Sequence, residues 1–308
     1  MSSLQTKFLN TILKTIGAKK FLQEISKVDD KESILRVARK YRESDFKRLR
    51  KKLRKHYRIQ EILFDKFPLH IHTRKEAEAN QVIFYFHGGA YMIGPNSLHW
   101  SILDTLSKMA SIDFALLDYP KAPEYTARTA MKVALEAYRY LDGIYGNDKI
   151  TLMGDSAGGG LALSLAMELF LQRMPQPARL VLLSPWLDIS LAHPQAREKN
   201  HNDVMLDCDG LAQCGRIYAG DLGVHHPWVS PRFGDVHGLP PTHIFVGGKE
   251  VFWPDIREFT DTAKEAGVDI QLNFEEEMPH VFPLFGMMPA GKKALYQIAD
   301  LLRDTETK

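Results

Sequence analysis

Ile150-Thr151-Leu152-Met153-Gly154-Asp155-Ser156-Ala157-Gly158-Gly159-Gly160 joins an apolar run of strand length to a glycine-rich turn. A helical pattern over 158–173 follows directly. Gly154-x-Ser156-x-Gly158 has the spacing of a nucleophile elbow. The chemistry needs small residues there. A sharp strand-to-helix turn strains the serine backbone, and glycines on either side relieve the crowding. The serine oxygen then stands at a helix N-terminus, whose dipole favours developing negative charge. A Gly/Ser-rich phosphate loop or a plain tight turn is the competing reading of this motif alone. Ser156 is the candidate nucleophile.

Working outward, short apolar runs at 82–86, 114–117, 150–153, 180–183 and 243–246 suit strands buried on both faces, as in a mostly parallel sheet. Helical patterns at 97–109, 129–145, 158–173, 255–266 and 292–303 alternate with them. That alternation predicts an α/β fold with crossover helices. Residues 59–64 and 69–72 alternate apolar and polar as an antiparallel pair, and 270–274 is a last alternating strand.

Residues 1–57 read as helices. Leu4, Phe8, Leu9, Ile12, Leu13 and Ile16 form one stripe, and Tyr41, Phe46, Leu49, Leu53 and Tyr57 form another. Residues 187–234 are longer than a crossover requires and read as an insertion above the sheet. The expected organisation is a helical arm over 1–58, an α/β core over 59–186 and 235–308, and an insertion over 187–234.

Composition narrows the class. The 308 residues are 44% hydrophobic and 25% charged, the balance of a globular chain rather than a disordered one. No apolar run approaches the roughly 18 residues of a membrane span. Lys7 and Lys14 interrupt the apolar stretch near the start, so no signal peptide is expected and a cytoplasmic location is. Two cysteines, Cys208 and Cys214, make no disulfide framework. Neither Cys-x-x-Cys nor His-Glu-x-x-His occurs, so no metal and no cofactor is expected. The net charge of +2 conceals 18 Lys and Arg against 6 Asp and Glu in residues 1–60. A solvated helix face on an acidic body accounts for that block better than a nucleic-acid or lipid-binding arm.

His87-Gly88-Gly89-Ala90-Tyr91 follows the run 82–86 and precedes Ser156 by 69 residues. Backbone N–H groups free of side-chain obstruction suit an oxyanion. Gly88, Gly89 and Ala157 are the candidate donors. Of the twelve histidines, His280 follows the last strand in Met278-Pro279-His280, where the order nucleophile, acid, base places the base. His225 and His226 read as insertion surface, and His70 and His72 as a solvent-facing pair. For the acid, Glu250 lies at the tip of the strand 243–246, while Asp255 after Pro254 reads better as a helix cap. Either carboxylate could orient an imidazole.

Together these residues resemble the hormone-sensitive-lipase-like (family IV) esterases of the α/β-hydrolase superfamily. The likeness spans about residue 59 to the end. It rests on His87-Gly88-Gly89-Ala90-Tyr91, Gly154-Asp155-Ser156-Ala157-Gly158-Gly159, Ser184-Pro185-Trp186-Leu187-Asp188, Ser230-Pro231 and Met278-Pro279-His280. Asp118-Tyr119-Pro120-Lys121-Ala122-Pro123-Glu124 is a divergent copy of the family's Tyr-Arg-Leu-Ala-Pro-Glu segment. Glu250-Val251-Phe252 stands where the family usually has Asp-Pro-Leu.

The resemblance implies an α/β-hydrolase fold with a helical cap. It implies a serine carboxylesterase acting on short-chain acyl esters through an acyl-enzyme, with Ser156, His280 and Glu250 as triad. It also implies a possible homodimer through the C-terminal edge strand. A small-molecule ester is the expected partner, with no nucleic acid and no stable membrane insertion. An amidase or deacetylase on the same machinery is the alternative, and a non-catalytic ligand-binding protein of this fold the remote one. Asp155 is expected to be structural at the elbow, and Tyr91 and Trp186 to pack beside the site.

Overall fold

The computed structural model describes residues 17–42, 52–76 and 79–303. The stripe from Leu4 to Ile16, and Phe46 and Leu49, lie outside the described residues. Two helices come first, α1 (Ala18–Ile25) and α2 (Lys31–Arg42). An antiparallel pair follows, β1 (Tyr57–Phe64) and β2 (Phe67–Arg74). Next are β3 (Val82–Phe86), α3 (Ser97–Ala110), β4 (Asp113–Leu117), α4 (Ala127–Tyr145), β5 (Ile150–Asp155), α5 (Ala157–Leu171) and β6 (Arg179–Leu183). The inserted stretch holds α6 (Pro194–Lys199) and α7 (Cys208–Ala219). The chain closes with β7 (Thr242–Gly247), α8 (Trp253–Glu265), β8 (Ile270–Glu275) and α9 (Pro289–Arg303).

The strands form one sheet in the order β1-β2-β4-β3-β5-β6-β7-β8. β2 joins β4 antiparallel, and every pairing from β4 to β8 is parallel. Side chains alternate across the pleat. Val82, Phe84 and Phe86 enter the core on one face, while Ile83 and Tyr85 enter the core on the other. Both faces are covered, which is why the central strands are mostly apolar along their length. α5 lies against β3, β5 and β6 and is buried over nearly its whole surface. That explains a helix of Ala, Gly and Leu with almost no charge.

Three expectations need correction. Tyr57 opens β1 instead of closing a helix, and its ring is buried against Phe114. His70 and His72 do not face solvent. β2 is flanked by β1 and β4 and roofed by Trp100 of α3, and His72 stacks flat on Phe114 at 4.4 Å. Strand alternation assigns residues to a face but does not say which face a helix will cover. Third, α8 starts at Trp253 with Phe252 at its N-cap, so Asp255 lies inside the first turn and does not cap it.

α1 packs on α7, although the two helices lie far apart in the sequence. The crossing is tight. A Cβ on Gly210 would come within 2.2 Å of the Leu22 carbonyl oxygen. Lys19 Nζ donates to the main-chain oxygens of Asn200 (3.2 Å) and Asp203 (2.5 Å). Among the described residues no helix is long and apolar enough to cross a membrane.

Candidate active site

The turn from β5 to α5 places Ser156 at φ 53°, ψ −121°, a conformation that costs an ordinary residue on the order of 1–3 kcal/mol. Hydrogen bonds on both sides hold it. Ser156 N–H donates to Leu183 O, and Trp186 N–H donates to Ser156 O, each at 2.9 Å. The flanking glycines are sterically required. A Cβ on Gly154 would lie 2.4 Å from Gly158 O, and one on Gly158 would lie 2.0 Å from Phe86 O.

Ser156 and His280 line one cavity of about 370 Å³. Its apolar wall includes Phe21 and Leu22 of α1, Met205 and Leu206 of the insertion, and Leu284 and Phe285. Residues of the arm, the insertion and the sheet therefore meet around the serine.

His280 and Glu250 are both buried, and His280 Nδ1 lies 2.5 Å from Glu250 Oε2. A carboxylate accepts, so Nδ1 carries the proton and Nε2 keeps its lone pair. The other carboxylate oxygen, Oε1, accepts from Ser184 Oγ (2.7 Å) and from Gly247 N–H (2.8 Å). Ser184 Oγ in turn accepts from Val281 N–H at 2.9 Å. This one hydroxyl ties the acid to the residue after the histidine. Its part is not evident from the sequence, where Ser184 is only the first residue of the segment Ser184-Pro185-Trp186-Leu187-Asp188 that contributes to the resemblance.

Asp255 is placed elsewhere. It forms a close ion pair with Arg232, which also meets Glu258 at 2.9 Å and Asp188 at 3.7 Å. Burial pushes its carboxyl up to about 6, with Arg232 opposing and Asp188 adding to the rise. Its Oδ2 has no hydrogen-bond partner among the described residues. Asp255 faces a guanidinium, and Glu250 faces the imidazole.

The loop after β3 is fixed by its own contacts. The His87 ring is buried, and its Nδ1 donates to Gly88 O at 2.7 Å. Tyr119 stacks on it at 4.4 Å and donates its hydroxyl to His87 O at 2.8 Å. Burial pushes the His87 imidazole below its ordinary range.

Gly88 N–H donates to Asp155 Oδ1 at 2.8 Å. This corrects the expectation of three free donors. The same oxygen accepts from Tyr85 Oη at 2.7 Å and lies 3.4 Å from His99 Nε2. Burial would raise the Asp155 carboxyl, but His99, Tyr85 and the Gly88 amide together hold it below the usual range. Gly89 and Ala157 N–H have no acceptor among the described residues. Gly89 adopts φ 120°, where a Cβ would strike Ile93 O at 2.2 Å.

Tyr91 is stacked between Tyr218 of α7 (3.7 Å) and Trp186 (5.6 Å). Trp186 continues to Phe252, whose ring meets His280 edge-on at 5.1 Å. Tyr91 and Trp186 are thus packing residues beside the site. His225 is exposed and His226 half-buried, both away from these contacts.

Residues 83–284 match the alpha/beta hydrolase fold family. An esterase of Acinetobacter venetianus is 34% identical over 231 residues, covering 74% of this chain and 76% of the relative. An acetyl-hydrolase of Streptomyces hygroscopicus is 31% identical over 233 residues, covering 75% of this chain and 78% of the relative. A crystal structure of an esterase from the bacterial hormone-sensitive lipase family superposes with a TM-score of 0.77 at 29% identity, over 93% of this chain and 97% of that one.

Proposed function

The chain belongs to the hormone-sensitive-lipase-like esterases of the α/β-hydrolase superfamily and is a carboxylic ester hydrolase, and from this we propose that it cleaves short-chain acyl esters through an acyl-enzyme at Ser156. The observation that carries the proposal is the 2.5 Å contact between His280 Nδ1 and Glu250, beside a serine that lines the same cavity. With Nδ1 protonated, Nε2 is the base that takes the Ser156 proton as the hydroxyl attacks the ester carbonyl. The imidazolium so formed is stabilised by Glu250.

Gly89 and Ala157 N–H receive the oxyanion in this proposal, and Gly88 N–H anchors the loop to Asp155. One such donor is worth roughly 2.7–4 kcal/mol. The tetrahedral intermediate collapses as His280 gives its proton to the leaving alcohol. Water then attacks the acyl-serine with the same roles, and Ser156 regains its proton.

A preference for short acyl groups follows from volume. About 370 Å³ must hold both sides of the scissile bond, and that is near the lower end of ligand sites, roughly 300–1,000 Å³. The described helices before β1 and residues 187–234 form the cap in this reading, with α1 and α7 as its packed pair. β8 is the outer strand with one unpaired side, and pairing of two copies there is a proposal that sedimentation at several concentrations would test.

The deciding experiment is hydrolysis of p-nitrophenyl esters from acetyl to decanoyl, with Ser156→Ala alongside. Fast turnover of short esters, lost in the variant, is the expected result. No turnover of any ester by folded protein, with cleavage of a matched amide or acetylated sugar, would move the assignment to the amidase or deacetylase alternative.

A further inference from the structure

Asp203 lies in the loop between α6 and α7 and is buried, 2% exposed. Its carboxylate meets N–H donors on both oxygens. Oδ1 accepts from Met205 (2.8 Å) and Leu206 (2.9 Å), and Oδ2 accepts from Val251 (3.0 Å). Three converging donors fit the ionised acid, which only accepts. The bonds also have a geographical meaning. Met205 and Leu206 line the cavity, whereas Val251 directly follows Glu250. One side chain of the insertion therefore fastens the cavity wall to the loop that presents the acid.

The charged neighbours come from several elements. Burial pushes the Asp203 carboxyl above its ordinary range and Glu250, from the loop after β7, adds to the rise, while His280, from the loop after β8, and the Met205 and Leu206 amides oppose it. Lys19 of α1 reaches its main-chain oxygen. Lys199 of α6 is engaged with Gly248 O at 2.8 Å. Cys208 opens α7, and burial pushes its thiol up to about 11.

We infer that Asp203 is a positioning residue that holds the Glu250 loop in register and places a second negative charge near His280. The inference rests on the roles proposed above for Ser156, His280 and Glu250. His280 is positive only after it takes the serine proton. A fixed negative group nearby therefore favours the transition state over the ground state. Glu250 acts by contact, and Asp203 acts through the Val251 amide and through space. The insertion thus contributes to the chemical step as well as to the cavity wall.

The test is the pH profile of kcat/KM for Asp203→Asn on a short p-nitrophenyl ester. Removing a negative charge makes His280 harder to protonate, so the acid limb moves to lower pH, by about half a unit or more. Plateau kcat falls about tenfold while KM stays within about twofold. Asp203→Ser, whose hydroxyl still accepts from the turn amides, gives the same displacement and serves if the Asn variant does not fold. An unmoved acid limb in a folded variant overturns the inference, as does a change confined to KM, because a purely structural carboxylate would produce either. Wild-type hydrolysis that survives Ser156→Ala would instead overturn the underlying assignment, and this one with it.

Discussion

Glu250, in the loop after β7, and Asp255, in the first turn of α8, lie five residues apart and are both buried, yet their surroundings treat them oppositely. Glu250 is enclosed by neutral donors and an imidazole: Ser184, the Gly247 amide and His280. Asp255 is enclosed by fixed charge: Arg232, with Asp188 and Glu258 sharing the same guanidinium. A carboxylate beside a permanent cation is neutralised before any reaction starts. One held by neutral donors has no permanent cation beside it, and in the proposed mechanism it meets one only when the imidazole takes the serine proton. Burial does not distinguish the two, but the partner does.

The contrast breaks most sharply if the acid corner is not connected to the serine. Ser156→Ala is expected to lower kcat by roughly 10⁶-fold toward the background left by binding and the oxyanion amides. Residual activity near wild type would remove the basis for comparing the acids at all. Glu250→Gln is expected to cost about 10⁴-fold in kcat at nearly constant KM, because the neutral amide fails to hold the imidazole tautomer. A larger loss in Asp255→Asn than in Glu250→Gln would reverse the assignment.

Ser184→Ala sharpens the comparison from the donor side. It removes one hydrogen bond to a buried carboxylate, and a loss of about tenfold in kcat is expected. Steady-state kinetics with KM unchanged would place that loss in the reacting step.

The smallest effect on turnover is expected at Asp255→Asn, within about threefold of wild type, with a distinct signature in stability. Burial raises the Asp255 carboxyl from 3.8 to about 6 in the fold. A raised folded value means stability is fullest below the unfolded value and declines as pH rises through 6. The Asn variant does not ionise, so it gains on the wild type between pH 4 and 7, by on the order of 1–3 kcal/mol. Thermal melts of both proteins across that range would check it. A constant difference would mean that Arg232 fully offsets the burial of the charge.

These pairs also show where sequence reasoning reaches. The elbow around Ser156 and the His87-Gly88-Gly89 loop are legible because their steric demands fall on adjacent residues. The sheet is legible because strands covered on both faces carry short runs of apolar residues. Glu250 is legible at a strand tip, but what sets the surroundings of Asp255 apart, the Arg232 guanidinium, comes from 23 residues away. Ser184 lies 66 residues before the acid it serves, and Asp203 lies 48 before the amide it holds. No local pattern links them. The Gly88 amide was misjudged for a similar reason, since its acceptor Asp155 is 67 residues away. His70 and His72 were misread because alternation is silent about Trp100 arriving over them.

The tie between Lys19 and residues 200 and 203 spans more than half the chain, and it has a consequence for biosynthesis. α1 leaves the ribosome early, but the surface it must cover does not exist until α7 has been made. Contacts so distant in sequence form late, because a long loop must close before they gain anything. Until then α1 has no α7 surface over Phe21 and Leu22. During that interval the nascent chain exposes apolar surface of the kind that makes folding intermediates prone to aggregate, and the cavity wall that Phe21 and Leu22 supply is in place only when α1 has docked.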